Sequence, residues 1–74
     1  MALLDVIEVL AQSDKSWEDA AQNAIQTASQ TVRGIQSIYI KEFQAVVEND
    51  KITQYRIAAK ITFVLQGDYG MSAG

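Results

Sequence analysis

The 74-residue chain contains no cysteine, no histidine and no proline, and each absence removes a class of chemistry. Without Cys there are no disulfides and no thiol nucleophiles, and without Cys or His there is no zinc site of the usual kind and no Ser-His-Asp triad. Basic residues are few, 6 against 9 acidic, which gives a net charge of -3. A chain of this balance lacks the clustered Lys and Arg that grip phosphate backbones, so nucleic acid is not an expected partner. No apolar run approaches the roughly 20 residues that cross a bilayer, so no membrane partner is expected either. The stretch Met1 to Leu10 carries Asp5 and Glu8 within its apolar residues and has no basic lead, unlike a signal peptide. A cytoplasmic location is the expectation.

What is present suits one small domain, since 49% of residues are hydrophobic and only 20% charged. A domain this short buries only about 60% of the surface its unfolded chain exposes, and commonly needs a disulfide, a metal or self-association. With disulfides excluded, oligomerisation is the expected remedy. Carboxylates remain available to a hard cation such as calcium.

The residues from Leu3 to Ala11 read as a first strand. After polar Gln12 to Lys15, Ser16 is placed to cap a helix beginning at Trp17, with Glu18 and Asp19 in the first turn. Trp17, Ala20, Ala21, Ala24, Ala28 and Val32 recur at helical spacing and form an alanine-rich stripe suited to lying close on a sheet. Gly34 is expected to close that helix.

A second strand is expected from about Ile35 to Val47 and a third from about Ile52 to Leu65. They should be joined by the turn Glu48-Asn49-Asp50-Lys51 into a long antiparallel hairpin. In the third strand Tyr55, Ile57, Ala59, Ile61, Phe63 and Leu65 alternate with more polar residues and should face the helix. The other strands are apolar on both sides. Leu3, Ile7 and Val9 oppose Leu4, Val6 and Leu10, and Tyr39 and Phe43 oppose Ile38 and Ile40.

One helix covers one face of a three-stranded sheet, so the surplus predicts an exposed patch and a homo-oligomer. The fold class is α+β, a β-α-β-β chain with a three-stranded antiparallel sheet packed on one amphipathic helix. Residues 1–65 are expected to form the single domain and 66–74, with three of the four glycines, a flexible tail.

With LLDVIEVLAQS, SWEDAAQNAIQTASQTVRGI, IYIKEF and QYRIAAKITFVL in this order, the sequence resembles the dodecins, β-α-β-β proteins that assemble as hollow twelve-subunit shells and bind flavins. The resemblance spans about Leu3 to Leu65 and is most specific over Ser16-Trp17-Glu18, Ala20, Gln22-Asn23-Ala24 and Ala28-Ser29. It implies a non-enzymatic storage or sequestration protein, a homododecamer binding riboflavin, FMN or FAD at subunit contacts. In flavin-binding members a Trp at the start of the second strand stacks on the isoalloxazine and a Gln after the Tyr of the third strand bonds its polar edge. Those positions hold Ser37 and Arg56 here. Both departures resemble a branch without that Trp that is associated with calcium.

The resemblance therefore implies ligand contacts at Gln36, Ser37, Tyr39 and Arg56. Arg56, with donors only, suits a carboxylate, a phosphate or a stacked ring, and a salt bridge to Glu42 or Glu8 of another subunit is the alternative. For a metal the implied residues are Glu8 and Glu42, within a wider set of acids that includes Asp5, Glu48 and Asp50. No single run supplies the six to eight oxygens calcium takes, and scattered surface acids are the plainer reading. Trp17 reads as a packing residue that anchors the helix, and Tyr39 and Tyr55 as strand aromatics of a core or interface. No catalytic constellation, GxGxxG, P-loop or GxSxG occurs.

Overall fold

Apolar residues at every second position of three strands, and at every third or fourth of one helix, give four elements in the order β1 (Leu4–Ser13), α1 (Trp17–Ala28), β2 (Ile35–Glu48) and β3 (Lys51–Val64). The computed structural model describes residues 3–65, and the expected tail at 66–74 lies outside the described residues. The sheet is antiparallel with order β1-β3-β2, so the most regularly alternating strand takes the centre.

Helix α1 lies across one face. Ala20, Ala24 and Ala28 are buried against Ile57, Ala59 and Ile61 of β3, joined by Ile7, Val9 and Ala11 of β1 and by Ile38 and Ile40 of β2. Alanine on the helix permits a close approach, and the larger side chains come from the sheet. The start of α1 follows from Ser16, which is extended and accepts from the Asp19 N–H at 2.9 Å.

The end of the helix departs from the sequence expectation. The helix stops at Ala28, and Val32 packs on the core from a turn beyond it. Ser29 Oγ donates to the Gln26 carbonyl at 2.7 Å and Thr31 Oγ1 to that of Ala28 at 3.2 Å. Gln30 and Thr31 meanwhile make i→i−3 backbone bonds to Thr27 and Ala28. Hydroxyls competing for the last carbonyls, together with the tightened turn, end the helix before Gly34 is reached. Gly34, at φ 70°, instead turns the chain into β2, where its carbonyl accepts from Val64 at 3.1 Å.

Strand β1 runs past Ala11 through Gln12 and Ser13, which sequence alone reads as loop. Ser13 is buried because its hydroxyl is satisfied twice, donating to Asp19 Oδ2 at 2.6 Å and accepting from the Lys15 N–H at 2.9 Å. The hairpin turn is as expected, with Asn49 and Asp50 at φ 53° and 64°, the pair of positive values a two-residue type I′ turn requires.

Register shifts interrupt β2 between Ile35 and Ser37, between Ile40 and Glu42, and between Val46 and Val47. The second overturns the expectation that Phe43 shares a face with Tyr39. The extra residue at Lys41 resets the alternation, so that Phe43 pairs with Ile57 on the helix side while Tyr39 pairs with Lys60 on the other. There Phe43 and Tyr55 meet the Trp17 ring edge-to-face at centroid distances of 5.9 and 4.9 Å, and Trp17 Nε1 donates to the Gln44 carbonyl at 2.8 Å. Trp17 thus anchors the helix to the hairpin.

The result is elongated, 56 × 19 × 13 Å, with a radius of gyration of 15.3 Å. A compact domain of this length has about 11 Å. The 12-residue helix, about 18 Å long, covers under half of the hairpin's roughly 48 Å.

Candidate functional site

The sheet face away from α1 carries Glu8, Ser37, Tyr39, Glu42 and Arg56 among the residues the sequence singles out. Cross-strand pairing arranges it in rows across β1, β3 and β2: Val6, Thr62 and Ser37; Glu8, Lys60 and Tyr39; Leu10, Ala58 and Glu42; Gln12, Arg56 and Gln44. Leu4, Val6, Leu10, Tyr39, Val47 and Ile52 are each about half exposed or more, with Leu10 at 76%. Large apolar side chains exposed in this way between polar rows make the face a candidate interaction surface.

Arg56 stands on the central strand, half-buried between two glutamines, and its Nε donates to Gln12 Oε1 at 3.0 Å. That bond orients the guanidinium and leaves its two terminal nitrogens for an external acceptor. Within the chain the partner of Arg56 is therefore Gln12, and neither Glu42 nor Glu8.

Ser37 and Tyr39 lie two residues apart on the same side of β2, about 7 Å along the strand, with the Tyr39 ring 64% exposed. Gln36 occupies the first irregularity of β2, where its Nε2 donates to the Gly34 carbonyl at 3.4 Å. Ser37 is paired with Thr62, six residues along β3 from Arg56, a separation of about 20 Å. One copy of the chain thus brings Ser37 and Tyr39 together and leaves Arg56 apart.

Glu8 and Glu42 sit in adjacent rows on the flanking strands. Glu8 Oε2 is 3.5 Å from Lys41 Nζ and 3.8 Å from Lys60 Nζ. Among the described residues no three acidic groups come together as a metal would require. Sequence reasoning missed Gln12 and the two lysines. Their signal is the β1–β3 register, which sets Gln12 opposite Arg56 and Glu8 opposite Lys60.

Depressions lie on both sides of β1. A hollow of about 210 Å³ on the open face is lined by Glu8, Leu10, Lys41 and Ala58, among others. A groove of about 500 Å³ runs between α1 and β1, with an apolar floor that includes Ile7, Ala11 and Ala24 and a rim that includes Asn23 and Gln30. Neither is lined by Ser37, Tyr39 or Arg56.

These elements define a small β-α-β-β domain with one helix-covered and one open, partly polar sheet face. The chain belongs to the dodecin family, whose model, described as Dodecin, matches residues 3–66. It is 30% identical over 66 residues to the calcium dodecin of Mycobacterium tuberculosis, covering 89% of this chain and 93% of that one. A crystal structure of that relative, described as a calcium-chelating antigen with a novel calcium-binding site, superposes with a TM-score of 0.76 at 32% identity, over 88% of this chain and 93% of the other. Dodecin from Streptomyces coelicolor gives 0.84 at 25% identity, again over 88% and 93%. No helix among the described residues is long and apolar enough to cross a membrane.

Proposed function

We propose that this chain is a non-enzymatic, cytoplasmic, dodecin-type storage or sequestration protein, assembled as a homododecamer through its open sheet face. In this reading it holds a flavin of the riboflavin or FMN type in an altered pocket at subunit contacts. The observation that carries the proposal is the open face itself, where Arg56 is oriented by Gln12 at 3.0 Å among half-exposed apolar side chains. Because Ser37 and Arg56 are about 20 Å apart in one copy, a pocket that uses both takes them from different copies. Affinity then depends on assembly.

The bound group and these residues fit in part. Ser37 offers no ring, but Tyr39 beside it presents an aromatic plane, and an aromatic contact adds about 0.5–1.5 kcal/mol beyond area burial. The free guanidinium nitrogens of Arg56 suit the phosphate of FMN or a ring carbonyl. The test is a fluorescence-quenching titration with riboflavin and with FMN on protein of known mass. Micromolar quenching is expected, lost in Arg56→Ala and in Tyr39→Ala with the mass unchanged. An intact assembly that leaves flavin fluorescence untouched would overturn the reading, and dissociation of Arg56→Ala would assign that residue to the interface.

A second reading, a calcium-associated or purely structural shell without flavin, draws support from the calcium dodecin relative. The described residues fit its structural form better, since Glu8 is already flanked by two ammonium groups and Glu42 has no acidic pair beside it to complete a site.

A further inference from the structure

We infer that Glu8 in this chain is the shared counter-ion of Lys41 and Lys60 and not a calcium ligand, so that this part of the open face repels the cation for which the chain's relative is named. The inference stands apart from the flavin reading.

Both ammonium groups reach the same oxygen, Oε2, at 3.5 and 3.8 Å, and from two different strands. Lys60 is the direct cross-strand partner of Glu8. Lys41 is the extra residue where the register of β2 shifts between Ile40 and Glu42, and it comes from the far strand, two strand spacings or about 10 Å away. Its arm passes the row in which the central strand carries Ala58, whose small side chain leaves the hollow that Glu8, Leu10 and Lys41 line.

Calcium bound to Oε2 at 2.3–2.6 Å would sit within about 6 Å of both ammonium groups. Each exposed pair is individually weak, but a doubly charged ion suffers repulsion from both even in water. To bind there it would have to displace both ammonium groups from the one oxygen they share.

The test is calorimetric titration of the assembled protein with calcium chloride, and with magnesium chloride at matched ionic strength. Wild type should show no calcium binding that depends on Glu8, so Glu8→Gln should leave its calcium response unchanged. The double variant Lys41→Gln/Lys60→Gln should bind calcium at least about tenfold more tightly, and adding Glu8→Gln should abolish that gain. Lys41→Arg/Lys60→Arg, which keeps the charge, should show no gain. Saturable calcium binding by wild type that falls tenfold or more in Glu8→Gln would overturn the inference. So would a double variant that assembles and gains nothing. If the double variant fails to assemble, the wild-type and Glu8→Gln pair decides alone.

Discussion

Along β1 the two faces of the sheet carry comparable aliphatic side chains but put them to different use. On the helix side Ile57 and Ile61 are fully buried beneath an alanine stripe. On the open side Leu4, Val6 and Leu10, on the same strand as buried-side Ile7 and Val9, lie in solvent. On this strand the difference lies in coverage and not in hydrophobicity, whereas β3 turns Arg56, Lys60 and Thr62 to the open side. A single 12-residue helix cannot cover both faces, or even the whole of one, and the remainder is surface whose burial would need other copies of the chain.

Substitutions on the two faces should act differently. The largest effect is expected on the covered face, where Ile61→Ala should cost about 2–5 kcal/mol in a denaturant titration, because the rigid contacts around it cannot close the cavity. On the open face Leu10→Glu should leave the far-ultraviolet dichroism of the subunit folded yet break the assembly, read as a fall in mass by light scattering. It removes a burial worth about 1.5–3 kcal/mol at each contact and adds a charge there. Ser16→Ala, which removes the acceptor for the Asp19 N–H at the helix start, should cost about 1 kcal/mol in the same titration. The smallest change is expected at the hairpin turn, distant from both packed regions. There Asp50→Gly relieves a positive φ of 64° and should raise stability by about 0.5 kcal/mol or less.

Much of this architecture is legible in the sequence, for identifiable reasons. The strict alternation from Tyr55 to Phe63 gives the third strand and its buried side, though not its central place in the sheet, and Ser16 before Trp17 gives the helix start to the residue. Asn49-Asp50 gives the turn. What was not legible depends on long-range pairing. Phe43 changes face because the register shifts at Lys41, and that shift follows from how β2 meets β3 and not from the composition of β2. Gln12 and Ser13 read as loop because they are polar, whereas in the fold one orients Arg56 and the other is satisfied by Asp19 and the Lys15 N–H. The helix end was masked because Val32 continues the apolar spacing while the hydroxyls of Ser29 and Thr31 already take the carbonyls the helix would have used.

The residues of the candidate site were named from the sequence, and the structure adds how they are placed relative to one another. Ser37, Tyr39 and Arg56 all fall on the open face, as the alternation and the family resemblance together imply. Their separation within one copy, and the capture of Glu8 by two lysines, required the register.

In the proposed assembly the open face is buried between copies of the chain. That burial is tested most directly by light scattering over a dilution series, with the melting temperature recorded at each concentration. The account predicts a mass of twelve subunits at micromolar concentration and above, and a melting temperature that rises with concentration. A single-subunit mass at every concentration, with an unchanging melting temperature, would contradict it.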